Sequence, residues 1–285
     1  MADLSQRVRT LQRACELIRN TSGRQGRFLQ LPACEEIIVV GDLHGHIENL
    51  QAVYKLANLQ AHPNRHLIFQ EFIHSKRYYP KGGDRSHQAL DLFAALKGQF
   101  PQRVHLLMGN HELAQWTDRP VMKGDVSLNE LFRQGVNEAY GEMGTTIYEL
   151  YLKMFAALPW AIRTSNRVFI SHSLPRAKVL DTFSLHLLTT EAVTLADLSP
   201  QGTIYELLWG RDTRQETATK FLQLVDCDWL ITGHIPCEEG FEYPNEKQLI
   251  VDACGYPATV ALISGQHPVT REQFRNAVRF LDSAE

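Results

Sequence analysis

The sequence predicts an α/β layered fold in which helices cover a sandwich of sheets. Two observations carry this reading. Along the 285 residues, apolar runs of strand length alternate with amphipathic stretches of helical period, the pattern of layered α/β architecture. Several of those runs end abruptly in a short polar signature: Gly41-Asp42-Leu43-His44-Gly45, Gly109-Asn110-His111-Glu112, Ser171-His172-Ser173 and Gly233-His234. Open α/β sheets place their ligands just past the carboxyl ends of strands. The signatures run from position 42 to position 234, so one domain spanning 1–285 is expected.

The elements follow in order. Leu4, Val8, Leu11, Cys15 and Ile18 recur at helical spacing, and the pattern breaks at 20–26. Residues 1–26 therefore read as an N-terminal helical extension on the outside of the sheet. A strand over 36–40 leads into the first signature, and 47–59 reads as an amphipathic helix. Residues 66–73 are apolar enough for a strand. The polar, aromatic, glycine-containing stretch 75–83 reads as an inserted loop. A helix over 86–97 and a strand over 103–108 follow. The chain from 116 to 125 looks open, and 127–140 and 146–158 look helical, with Gly141 and Gly144 between them. A hairpin is expected from 161–164 and 167–172 around Ser165-Asn166; 178–201 has weak signals. A helix over 215–225, strands over 229–232, 248–252 and 259–263, and a C-terminal helix within 265–285, strongest over 270–281, complete the reading.

Composition narrows the function. A net charge of -3 leaves no electrostatic footprint for nucleic acid. The five cysteines contain no C-x-x-C pair, which argues against a zinc ribbon or disulfide framework and for reduced thiols. No stretch reaches the roughly 18 apolar residues of a membrane span, and the first residues lack the apolar core of a signal peptide. A cytoplasmic protein with no membrane or nucleic-acid partner is expected.

The signatures carry the chemistry. Asp42 and His44 stand two apart at a strand exit, where both can face one metal. Asn110 can ligate a second metal through its amide oxygen, leaving His111 free to act as an acid. Hard oxygen and imidazole ligands together suit manganese, iron or zinc. Glu112, at a helix start, has a structural role in this reading. The histidines at 46, 62, 66, 87, 105, 186 and 267 have no ligand-like spacing and read as structural or surface residues.

The ordered set Gly41-Asp42-x-His44-Gly45, Asp84-Arg85, Gly109-Asn110-His111-Glu112, His172 after a strand, and Gly233-His234 resembles the calcineurin-like metallophosphoesterases. The nearer resemblance is to the phosphoprotein phosphatase branch, which includes serine/threonine phosphatases and bacterial diadenosine tetraphosphatases. It covers roughly residues 36 to 264, more weakly including Trp209-Gly210. It implies a four-layer α/β/β/α sandwich with two divalent metal ions at the carboxyl ends of strands. It also implies roles: Asp42, His44 and His234 on the first metal, Asn110 and His172 on the second. His111 would be the general acid, oriented by Asp84, with Arg85 gripping the phosphate as a planar fork of donors can.

The second motif departs from the family's Gly-Asp-x-Val-Asp-Arg-Gly. Here the strand reads Gln70-Glu71-Phe72-Ile73-His74, and about nine loop residues separate it from Gly83-Asp84-Arg85. Three readings stay open. Glu71 bridges the metals; Asp84 swings in as the bridge; or the bridge is lost, leaving one tight metal and a weak or absent catalyst. His74 is a possible extra ligand, although a loop histidine without a partner is commoner. Ser173 stands where a glycine is usual. Arg211 and Tyr256 are candidate substrate contacts, and the basic aromatic loop 76–81, with Trp116, Arg119 and Lys123, is expected near the site mouth.

The implied activity is hydrolysis of phosphomonoesters, including phosphoserine and phosphothreonine in proteins, by metal-activated water. Two alternatives are a dinucleoside polyphosphate hydrolase and a non-catalytic pseudophosphatase that binds a phosphorylated partner. The expected partner is a phosphorylated substrate, protein or small molecule.

Overall fold

A computed structural model describes residues 2–281. In chain order its main elements are α1 (Ala2–Arg19), β1 (Phe28–Leu31), β2 (Cys34–Asp42), α2 (Ile47–Ala57), β3 (Arg65–Gln70), α3 (His87–Gln99), β4 (Val104–Leu106) and α4 (Asn110–Trp116). Then come α5 (Leu128–Tyr140), α6 (Gly144–Phe155), β5 (Ala161–Thr164), β6 (Val168–Ser171), α7 (Thr203–Trp209), α8 (Gln215–Leu224) and β7 (Trp229–Thr232). The chain closes with β8 (Gln248–Val251), β9 (Thr259–Gly265), α9 (Arg271–Arg275) and β10 (Val278–Phe280).

Two mixed sheets form the centre. One has the order β10-β9-β2-β3-β4, with β2, β3 and β4 parallel and β9 antiparallel to β2. The other runs Arg24–Gln25, β1, β5, β6, β7, β8, Phe241–Glu242, with β6, β7 and β8 parallel. Strand β2 shows why they pack face to face. Ile37 and Val39 join a core with Ile68, Ile162, Ile170, Ile231 and Val251 of both sheets. Ile38 and Val40, pointing the other way, join the helix-side core with Leu50, Val53, Leu90 and Phe93. Alternation along one strand thus fills a sheet-to-sheet layer and a helix-to-sheet layer. Because both faces are buried, the strands read as continuous apolar runs rather than alternating ones.

At the site end the sheets meet closely. Asp42 forms an isolated parallel bridge with Asp252, and a Cβ on Gly41 would lie 1.9 Å from the Val251 carbonyl oxygen. Only glycine allows that approach.

The expected C-terminal helix is corrected. Thr270 caps one short helix through a capping box with Gln273. The chain then turns at Asn276, and β10 pairs antiparallel with β9, supplying an edge that outweighs the weak helical pattern of 276–281. Residues 282–285 of that expectation lie outside the described residues. Strand β1 also went unread, and 178–201 holds only short turns of helix, including His186–Thr189. The predicted hairpin of β5 and β6 is present, and residues 2–19 form the N-terminal helix.

Candidate metal and phosphate site

Five segments leave the carboxyl ends of β2, β3, β4, β6 and β7 and bring six side chains together: Asp42, His44, Glu71, Asn110, His172 and His234. Glu71, 1% exposed, stands between two groups. Its Oε1 is 3.4 Å from His44 Nε2 and 3.4 Å from His111 Nε2, and its Oε2 is 2.9 Å from His172 Nε2. Asp42 Oδ1 lies 3.7 Å from His172 Nδ1. Asn110 Oδ1 lies 2.7 Å from His172 Nε2 and 2.8 Å from His234 Nδ1.

His234 therefore departs from its implied place beside His44. Its ring goes to Asn110, and it is its backbone N–H that donates to Asp42, at 3.1 Å. The reason is local: His234 itself, the second residue after β7, has φ 66°, which turns the amide toward Asp42 and the ring toward the next segment.

The donor set fits cations. His44 Nδ1 lies 2.8 Å from the Ile73 carbonyl, which can only accept, so in the neutral ring the Nε2 lone pair turns to Glu71. A lone pair facing a carboxylate is unfavourable unless positive charge comes between them. Among the described residues, no lysine or arginine forms an ion pair with Asp42 or Glu71. Burial pushes both carboxyls up to about 7, Asp42 against the opposing effect of His172, Glu71 against that of His44. Burial also holds His172 below its ordinary range and His234 down to about 2. His172 and His234 are thus neutral at ordinary pH, whereas His44, which burial alone would lower, is raised by Glu71 and Asp42, and no lysine or arginine among the described residues pairs with the two carboxyls.

Four residues here adopt the left-handed region: His44 (φ 43°), Glu71 (φ 29°), His74 (φ 69°) and His234 (φ 66°). Such conformations cost of order 1–3 kcal/mol each and cluster at functional sites. Gly109 makes the room: a Cβ there would lie 2.4 Å from Glu112 Oε2 and 2.5 Å from Glu71 Oε2. Glu112, fully buried, accepts the backbone N–H of Phe72 at 2.8 Å and of Ile73 at 3.1 Å, so it fixes the segment that carries Glu71. Ser173 is absent from the positive-φ residues, so the backbone does not require glycine there, and its hydroxyl donates to the Gly210 carbonyl.

Two implied roles are corrected. The Asp84 carboxylate does not meet His111. It accepts from Ser75 N at 3.1 Å, Ser86 N at 2.8 Å and Ser86 Oγ at 2.9 Å, tying together the two feet of the excursion 75–86. It is thus not the bridge either. Arg85 is exposed and packs on the Tyr79 ring, its guanidinium carbon 5.2 Å from the centroid, away from the cluster. Both residues sit at the far end of the inserted loop, which carries them off the β3 exit.

His74 occupies the place expected of Asp84. Its Nδ1 is 2.6 Å from His111 Nδ1, and its Nε2 is 3.3 Å from Gln115 Oε1. Burial pushes His74 down to about 3 and His111 well below its ordinary value. The expectation of an unpartnered loop histidine was wrong, and a signal was present. Continuing the family pattern from Glu71 without a gap sets His74 at the second Asp and Ser75 at the Arg.

Above the cluster lies a cavity of about 190 Å³, lined in part by His44, His111, His74, Lys76, Lys123 and Cys254. Arg211 Nε donates to His234 Nε2 at 3.2 Å, which brings an arginine onto the cluster itself. Tyr256, 54% exposed, sets its ring edge-on to His46 at 5.4 Å, and His46 also lines the cavity.

Comparison with known proteins gives a consistent picture. The family described as calcineurin-like phosphoesterase matches residues 36–238. Serine/threonine-protein phosphatase 5 of Solanum lycopersicum is 24% identical over 247 residues, covering 77% of this chain and 38% of the relative. Serine/threonine-protein phosphatase 7 of Arabidopsis thaliana is 29% identical over 189 residues, covering 64% and 41%. The chain thus spans about two fifths of the length of these curated relatives. A solved protein serine/threonine phosphatase from Saccharomyces cerevisiae shares the fold with a TM-score of 0.74 at 17% identity, covering 99% of this chain and 90% of that one. A cold-active protein-tyrosine phosphatase of a psychrophilic Shewanella superposes with a TM-score of 0.61 at 14% identity, covering 94% and 84%.

Proposed function

The chain belongs to the calcineurin-like phosphoesterases, and on that premise we propose that it is a dinuclear metal-dependent phosphatase of phosphomonoesters, with phosphoserine or phosphothreonine in proteins as its substrate class. The observation that carries this is the position of Glu71, one carboxylate oxygen toward His44 and the other toward His172. Asp42, His44 and Glu71 would hold one ion; Glu71, Asn110, His172 and His234 the other. Manganese, iron and zinc all accept this ligand set. When bound, such ions neutralise phosphoryl charge and activate a water for in-line attack.

The rest falls to the chain's own groups. His111 presents Nε2 to the site and is the group that gives a proton to the leaving oxygen. Lys76 and Lys123 at the cavity, and Arg211 on the His234 side, supply positive charge toward the phosphate. Arg211 stands closer to the cluster than Arg85 and takes over its role in this reading. Tyr256 forms part of the rim against which the rest of the substrate lies. Residues 1–285 act as one domain, because both sheets supply ligands, and the reduced-thiol composition suits the cytoplasm. The phosphoprotein assignment draws on the curated relatives, which are named serine/threonine-protein phosphatases.

The test is metal content and turnover. Protein saturated with manganese, iron or zinc is expected to hold two ions per chain and to hydrolyse an aryl phosphate and a phosphoserine peptide. A diadenosine polyphosphate assayed alongside is expected to turn over more slowly; the reverse order would transfer the substrate assignment to dinucleotides. Fewer than two ions with no turnover would leave a phosphate-binding protein without catalysis.

A further inference from the structure

The family pattern puts a carboxylate behind its catalytic histidine, and this chain has an imidazole there. The hydrogen bonds around that imidazole are complete enough to assign protons. Gln115 Nε2 lies 3.3 Å from the Asn129 carbonyl oxygen and 2.7 Å from the Tyr148 hydroxyl. A carbonyl only accepts, so the Gln115 atom facing it must be the amide nitrogen, whichever way the amide is drawn. The other Gln115 atom is then the oxygen, and it faces His74 Nε2 at 3.3 Å. An amide oxygen only accepts, so His74 carries its proton on Nε2.

In the uncharged ring His74 Nδ1 is then a bare acceptor. His111 Nδ1, 2.6 Å away, must be the donor. His111 and Gln115 stand at i and i+4 on α4, on one face of the helix, and the His74 ring lies between them with its plane at 82° to that of His111. His74 is 8% exposed and Gln115 2%, so water does not compete easily for these bonds. A hydrogen bond to the second ring nitrogen is what fixes a histidine's tautomer.

We propose that His74 is the positioning residue of His111, and that Gln115, anchored by Tyr148 and the Asn129 carbonyl, sets the tautomer of both rings. His111 is thereby held with its proton on Nδ1 and its Nε2 turned into the site. Nε2 takes up a proton from cavity water and passes it to the leaving oxygen as that oxygen departs, so the Nε2–H bond is the one that forms and breaks while the Nδ1–H···Nδ1 bond to His74 persists throughout. The partner is a neutral acceptor rather than a carboxylate, so it orients His111 without adding negative charge. The catalytic part of this inference rests on the acid role given to His111 above; the tautomer assignment does not.

The test has two arms. In ¹⁵N-histidine NMR of the metal-free protein, His111 is expected as the Nδ1–H tautomer and His74 as the Nε2–H tautomer. Gln115→Met is expected to release the His74 preference, and Gln115→Glu to keep it. A wild-type His111 carrying its proton on Nε2, or tautomers unmoved by Gln115→Met, would overturn the proposal. In the metal-loaded protein, His74→Ala is expected to lower kcat roughly 10–100-fold with KM little changed, and His74→Asp to recover most of it. Full kcat in a folded His74→Ala protein would overturn the positioning role. A wild-type chain without turnover would sink the phosphatase reading while the NMR arm still decides the tautomers.

Discussion

The exits of β3 and β4 lie side by side in one sheet, yet they relate to the family pattern in opposite ways. After β4 the residues Gly109-Asn110-His111-Glu112 keep the pattern letter for letter. After β3 the residues Glu71 to Ser75 keep its positions and change its letters, while the matching letters Asp84-Arg85 stand on a loop that leaves the site. Asn110 and Glu71 nonetheless meet over the same histidine, His172, at 2.7 Å and 2.9 Å. Distance along the chain from the strand end decides which side chain enters the site, because the strand fixes where the backbone emerges. Residue identity is the more replaceable of the two.

The largest effect that sharpens this contrast is at Glu71. Glu71→Gln removes the negative charge between the two groups of ligands and is expected to lower kcat roughly 10²–10³-fold, the loss typical of a central electrostatic group. It should also halve the metal content measured by elemental analysis. An unchanged metal content and rate would break the comparison, leaving the β3 exit without a function.

Next comes the pH dependence of metal binding. Asp42 and Glu71 are raised to about 7 by burial, so below that pH protons occupy them and compete with the ions. Affinity should therefore rise with pH through 7; His44, which burial alone would lower but Glu71 and Asp42 raise, adds to the same slope, while the candidate ligands His172 and His234, with lowered values, need no deprotonation there. The manganese-induced rise in Tm is expected to be larger at pH 8 than at pH 5.5. An equal rise at both would show that these carboxyls are not released on binding.

A smaller effect belongs to the displaced motif. Asp84→Asn leaves one oxygen to serve the amides of Ser75 and Ser86 and the Ser86 hydroxyl. It is expected to destabilise by about 1–3 kcal/mol, read by chemical denaturation, with kcat falling less than for Glu71→Gln. The smallest effect is at Arg85: with its guanidinium stacked outside, Arg85→Ala should leave kcat/KM within about twofold, as surface substitutions usually do. A large KM increase in that variant would return Arg85 to the phosphate.

Much of this was legible in the sequence. The apolar runs before residues 42, 109, 172 and 234 read as strands because both of their faces are buried, and the candidate residues beyond them stand together at the strand ends. The failures have particular causes. Asp84 and Arg85 matched by letter, and nothing in the sequence shows that Asp84 is consumed in closing the loop between Ser75 and Ser86. The sequence does not show that α4 sets His111 and Gln115 on either side of His74. The left-handed φ of His234, which the letters do not show, turns its amide to Asp42 and its ring to Asn110. Strand β10 was read as helix because pairing with β9 is a long-range contact that outweighs local period.

The four left-handed residues at the cluster bear on how such a site persists through mutation. At positions 44, 71, 74 and 234, glycine would relax the backbone, so a chain released from selection on this site could become more stable by losing the side chains that make it. Random drift therefore runs downhill toward an empty scaffold. The histidines and the glutamate would have to be held there against that slope, and stability measured for glycine variants at these positions would give its steepness.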